Sequence, residues 1–198
     1  MNEPAGNTSL KDLVRKNRSY RRFHQDAPID SGLLRELVDL GRLSASGGNL
    51  QPLKYALSSD ASTNELIFNH LAWAAYLGDW PGPREGERPS AYIIILADRD
   101  ISKAINCDHG IAAQSILLGA VEKGLGGCIL GSIRRQELQS ALGLSDRYEI
   151  LLAIALGRPK EEVVIDPVGA DGSIKYWRDE KGVHHVPKRA LEEIILRK

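Results

Sequence analysis

Two cysteines, two phenylalanines and one methionine are all that the 198 residues hold of those types, and 26 acidic side chains cancel 26 basic ones. Two cysteines, Cys107 and Cys128, make neither a disulfide scaffold nor, alone, a metal site. With zero net charge there is no global positive field to hold nucleic acid or an anionic membrane, so neither partner is expected and any anion site must be local. No apolar run reaches the ~18 residues of a membrane span. The stretch from Met1 to Leu10 lacks the basic and apolar regions of a secretory signal, so a reducing, cytoplasmic location is expected. There is no internal repeat and no P-loop lysine motif. The five histidines, His24, His70, His109, His184 and His185, have no ligand spacing, and no metal is expected. What is present, 42% hydrophobic and 26% charged residues with 19 Gly and 9 Pro, describes one globular domain over residues 1–198 and argues against a coiled coil.

Periodicity orders that domain. Ser9-x-x-Asp12 is placed to cap a short helix carrying Leu10, Leu13 and Val14. Ser31 is placed to cap a second, with Leu33, Leu34, Leu37, Val38 and Leu40 at helical spacing and Gly47-Gly48 as its stop. Residues Leu66 to Leu77 read as a further helix that would carry Trp73 and Tyr76 into the core. The Pro- and Gly-rich stretch from about 78 to 89 reads as an inserted surface loop. Ala91 to Ala97 is a continuous apolar run of the kind buried on both faces of a sheet. Asp108 to Lys123 is apolar almost all round, as in a helix enclosed by protein. Gly124-Leu125-Gly126-Gly127 then leads to a strand at Cys128 to Leu130, and a helix near Arg134 to Leu142 precedes a buried strand at Ile150 to Leu156. Ser173 to Trp177 and Val183 to Val186 read as a hairpin. Three or four strands among helices predict an α+β fold.

Four segments carry candidate chemistry. Arg15, Lys16, Arg18, Arg21 and Arg22 fall within eight residues with no acid among them. Arginine forks beside the Ser19 hydroxyl suit the oxygens of a phosphate monoester, and the alternative is a solvated helix end whose cations oppose the C-terminal dipole. In Ser44 to Pro52, small residues allow backbone to approach a flat ligand while the Asn49 and Gln51 amides read its polar edge; the alternative is a helix stop. Gly126-Gly127-Cys128 is placed to present backbone amides. It follows a helix and opens a strand, the reverse of a dinucleotide fingerprint. Lys188-Arg189 is a second small basic group, whose alternative is a charged surface pair. Cys107 and Cys128 read as small hydrophobes rather than a redox pair. Trp80 opens the inserted loop, either stacked on a flat substrate or packed on the domain.

Taken in order, these segments resemble the FMN-dependent nitroreductase family over roughly Leu10 to Leu196. Arg18-Ser19-Tyr20-Arg21-Arg22-Phe23 is similar to the family's N-terminal phosphate motif, with Asn17 where its first arginine often stands and with either Arg21 or Arg22 as the phosphate contact. Ser44 to Pro52, including Ser46, Gly47, Asn49 and Gln51, is similar to the segment that contacts flavin across the dimer interface. Gly110 to Gln114 through Gly126 matches the central helix and glycine turn, and Val186 to Arg189 the C-terminal basic element. The resemblance implies a central, mainly antiparallel sheet flanked by helices, with FMN at a homodimer interface. It further implies NADH or NADPH as donor, an electron-poor acceptor such as a nitroaromatic or quinone, and no catalytic side chain beyond the cofactor. A flavin-binding or redox-sensing protein without efficient turnover, or other flavin chemistry such as dehalogenation or ring dehydrogenation, is the alternative.

Overall fold

The computed structural model describes residues 8–78 and 80–197; Met1 to Asn7, Asp79 of the inserted loop and Lys198 lie outside the described residues. Helix α1 (Leu10–Lys16) begins where the Ser9 hydroxyl accepts the Asp12 N–H and donates to the Asp12 carboxylate, the reciprocal cap expected from the sequence. Helix α2 (Ser31–Arg42) departs from expectation at both ends. Asp30, not Ser31, is its N-cap, because the Asp30 carboxylate reaches both the Gly32 and Leu33 N–H groups. Its last residue is Arg42, well before the glycines, which form a separate 3-10 turn at Gly47–Asn49.

The main sheet is antiparallel throughout. Strands β1 (Phe23–His24), β2 (Leu53–Ser58), β3 (Ala91–Asp98), β4 (Gly126–Leu130) and β5 (Tyr148–Pro159) build it, with β5 between β3 on one side and β4 and β1 on the other. Every residue of β3 is buried, as its unbroken apolar run predicts. Ile93 and Ile95 face a core shared with α2 and α4 (Asp108–Glu122), while Tyr92, Ile94 and Leu96 face a second core beneath α3 (Ala61–Phe68) and α5 (Arg135–Ala141). An apolar run in an antiparallel sheet is explained by these helices covering both faces.

Three expectations fail. The helix placed at Leu66 to Leu77 is α3, which ends at Phe68, because Leu71 bridges Ile133 and the Ala72 N–H donates to the Ser132 carbonyl. A long-range pair has taken the backbone groups that helix continuation needs. Trp73 is buried outside any helix and Tyr76 is exposed. The strand count is eight among the described residues, since β1, β2 and a strand at Val163–Pro167 were not legible. In that second sheet, the hairpin placed at Ser173 to Trp177 shrinks to β7 (Trp177–Arg178) against β8 (His184–Lys188), and β6 (Val163–Pro167) lies parallel to β8 on its other edge. Within one chain α4 keeps an uncovered stripe, with Ile111 and Gln114 exposed and Leu118 only half-buried.

Candidate functional site

The chain leaving α1 runs beside β4. Ser19 forms a parallel bridge with Gly127, and the Tyr20 N–H donates to the Gly127 carbonyl at 3.0 Å. This contact joins two of the four candidate segments and explains their glycines. A Cβ at Gly126 would stand 2.4 Å from the Tyr20 ring, and one at Gly127 would stand 2.6 Å from Leu117 Cδ2 and 2.7 Å from the Ala155 carbonyl. Cys128 pairs with Ala155 in the β4–β5 ladder and is buried, with its thiol pKa pushed up by that burial.

The arginines then divide. Arg22 grips Glu87 with both arms of its fork, Nε to Oε2 at 2.9 Å and Nη2 to Oε1 at 2.7 Å. The Glu87 carboxyl is held at about 2 by Arg22 against the cost of its burial, with Arg84 and Lys160 assisting. Arg22 is thus committed to the protein. Arg21 is buried over the Tyr176 ring, donates through Nη1 toward the Ser19 carbonyl and His184 Nε2, and keeps its Nε buried without a partner. Arg18 donates to the Val14 carbonyl at 2.9 Å and likewise has a buried Nε without a partner, beside the exposed Ser19 hydroxyl. Two partly unsatisfied guanidinium groups flanking a serine are the donor set a phosphate monoester needs.

Lys188 and Arg189 do not join them in this chain. Strand β8 meets Arg21 at its first residue, His184, and at ~3.3 Å per residue Lys188 lies about 13 Å further along. Arg189 is exposed and reaches Glu193 at 3.6 Å. The residue at the contact is instead His184. Its pKa is pulled down to about 4, first by burial and then by the charges of Arg21, Arg178 and His185, so the ring is neutral. Because Arg21 can only donate, His184 Nε2 accepts and the proton sits on Nδ1. A second residue without a motif to announce it is Glu161. Its side chain is 1% exposed; Oε1 accepts the Arg21 and Arg22 backbone N–H groups at 2.5 and 3.2 Å, and Oε2 accepts Arg178 at 2.8 Å.

The remaining segment forms a separate group at the start of α4. Asp108 accepts the Ser46 hydroxyl at 2.6 Å and the Gly47 N–H at 3.1 Å, which holds its carboxyl below the usual range, and Ser46 Oγ in turn accepts the Gln51 N–H at 2.9 Å. Locked in this way, Asn49 and Gln51 adopt left-handed backbone, with φ of 55° and 50°, and present exposed side chains. For Gln51, immediately before Pro52, that conformation is costly, and such outliers persist where the surroundings impose them. A cleft of about 480 Å³ adjoins this loop, lined among others by Ser46, Gln51, Lys54, Tyr55 and Asp108. Sequence reading had placed Asp108 only as a helix start. Asp108 and Leu117, which packs against Gly127, are separated by about 13 Å along α4, so one protomer keeps its two groups apart.

Trp80, the remaining candidate, is half-buried against the α3-side core, with the Arg178 guanidinium 4.4 Å from its ring centroid.

Comparison with known proteins places this geometry. The model of the nitroreductase family matches residues 14–158. Among curated proteins, the chain is 25% identical over 181 residues to a Bacillus subtilis protein named as an NAD(P)H nitroreductase, covering 76% of this chain and 90% of that one. It is 23% identical over 173 residues to the NADPH-flavin oxidoreductase of Vibrio harveyi, covering 79% and 68%. Among solved structures, a Desulfovibrio desulfuricans protein crystallised with FMN and assigned as a nitroreductase superposes with a TM-score of 0.70 at 23% identity, covering 97% of this chain and 98% of that one. At these identities the structural likeness establishes the shared fold, and the family match spans most of the chain. The protein belongs to the nitroreductase family.

Proposed function

We propose that this chain is an NAD(P)H-dependent FMN oxidoreductase, acting as a homodimer on an electron-poor acceptor such as a nitroaromatic or quinone. The observation that carries the reading is the pairing of Ser19 and Tyr20 with Gly127, which fixes on β4 a segment whose Arg18 and Arg21 each keep a buried Nε without a partner, in a protein without excess positive charge. When bound, FMN supplies hydride acceptance and donation at its ring, so the protein's part is binding, orientation and electrostatics. Arg18, Ser19 and Arg21 hold the phosphate, while Arg22 fixes the segment through Glu87. Gly126, Gly127 and Cys128 form the rigid strand on which that segment is registered.

Asn49 and Gln51, held outward by Asp108 and Ser46, serve the flavin of a partner subunit. Two features support this: the two groups stand apart within one protomer, and the outer stripe of α4 is uncovered. Asp108 and Glu87 are each spent on structural partners rather than on proton transfer. The test is the purified protein itself. Released flavin should have the mass of FMN, and its colour should bleach anaerobically with NADH or NADPH and return on adding a quinone. Bound FAD, or a colour that neither nucleotide bleaches, overturns the proposal.

A further inference from the structure

We infer that Glu161, three residues beyond the stretch matched by the family model, is a positioning residue that decides how the phosphate is recognised. Two consecutive backbone N–H groups converging on one oxygen form the kind of nest that binds an anion, and here the internal carboxylate of Glu161 already fills it through the N–H groups of Arg21 and Arg22. Those amides are therefore spent, and an incoming phosphate must be read by the side chains of Arg18, Ser19 and Arg21.

The same carboxylate carries its other oxygen to Arg178 on β7, so a single buried side chain ties the arginine segment to the second sheet. Arg178 also balances its charge, which keeps a buried anion from repelling a phosphate nearby. The surrounding contacts agree with one clamp: the Lys160 N–H donates to the Arg22 carbonyl, and Arg21 lies against His184 of the second sheet and Tyr176 just before it. Carboxylate reach is the critical quantity, because one methylene fewer cannot serve Oε1 at the two amides and Oε2 at Arg178 together.

This inference rests on the FMN reading and is tested against riboflavin, which has the same ring and no phosphate. Flavin fluorescence titration gives the ratio of FMN to riboflavin affinity for wild type, Glu161→Asp and Glu161→Gln. The expected result is a ratio lowered about tenfold in Glu161→Asp, the scale of one misplaced charged hydrogen bond, with riboflavin affinity little changed. Glu161→Gln, which keeps the length and the oxygen at the two amides but turns an NH2 group toward Arg178 and so loses that pair, should lower the ratio by only about threefold. A folded Glu161→Asp with the wild-type ratio, or Glu161→Gln falling as far as Glu161→Asp, overturns the inference. Should Glu161→Asp fail to fold, Arg178→Met releases the other end of the clamp: a lowered ratio supports the inference and an unchanged ratio overturns it. A wild type that binds riboflavin as tightly as FMN removes instead the phosphate reading on which it rests.

Discussion

Adjacent arginines in this chain have opposite destinies. Arg21→Ala or Arg18→Ala should weaken FMN by roughly 1.5–3 kcal/mol, the usual contribution of a hydrogen bond to a charged group, with Tm nearly unchanged in Arg18→Ala and only modestly lowered in Arg21→Ala, which also loses packing on Tyr176. Arg22→Ala should do the reverse, since it strands the buried Glu87 carboxylate, and losing one partner of a buried pair costs on the order of 3–5 kcal/mol before Lys160 and Arg84 offset part of it. Flavin titration beside thermal melting separates the two, and equal flavin loss in all three variants would remove the distinction. At His184 the prediction concerns pH. Its folded pKa of about 4 lies below the 6.5 of the free group, so between those values the unfolded chain binds more protons and stability must fall on acidification. Below the ordinary carboxylate range Glu87, folded pKa about 2, adds a second loss of the same sign. His184→Gln should flatten the limb between pH 6.5 and 4.5 in a Tm-against-pH series, and an unaltered limb would assign the acid sensitivity to other groups.

Among the elements, β4 is the one on which the phosphate segment depends. Gly127→Ala places a methyl against Leu117 and the Ala155 backbone carbonyl, and overpacking of this kind costs typically 1–3 kcal/mol. At roughly 2–4 °C per kcal/mol for a chain of this size, a drop of several degrees in Tm should accompany weakened FMN, because β4 must shift to relieve the contact and Ser19 and Tyr20 are paired to it. Normal flavin affinity in a destabilised Gly127→Ala would mean that the bridge at Ser19 is dispensable. The loop carrying Trp80 is anchored rather than free, with Arg178 at its ring and the α3-side core beneath. Trp80→Ala should therefore lower Tm while leaving kcat/KM for aromatic acceptors unchanged. The opposite pattern would return Trp80 to contact with the acceptor.

At the scale of the whole molecule, α4 holds the organising fact. Its sequence is apolar almost all round, yet one protomer covers only part of it, and the Asn49–Gln51 loop stands about 13 Å along it from the strand that registers the phosphate segment. The proposed second copy would satisfy both conditions, and obligate interfaces usually bury more than ~2,000 Å². Light scattering of the flavin-loaded protein should give twice the 21.7 kDa chain mass, and dilution to monomer should release flavin. A flavin-saturated monomer would contradict the shared site.

The sequence by itself determined the elements whose signal is local. The apolar run at Ala91 to Ala97 and the Ser9–Asp12 cap each state their environment within a few residues, and the apolar stretch from Asp108 states its helix. Tertiary structure alone decided what depends on distant partners. Helix α3 stops at Phe68 because Ile133 and Ser132 claim the next backbone groups, and β2 is a strand because β3 offers it an edge. It also decided which arginine is spent on a carboxylate. Arg21 and Arg22 are indistinguishable by type and spacing, and only the fold brings Glu87 to one and His184 to the other. The same reason hid Glu161: a carboxylate in a polar stretch has no periodicity to betray it, and its role exists only once two amides and a guanidinium from separate segments converge on it.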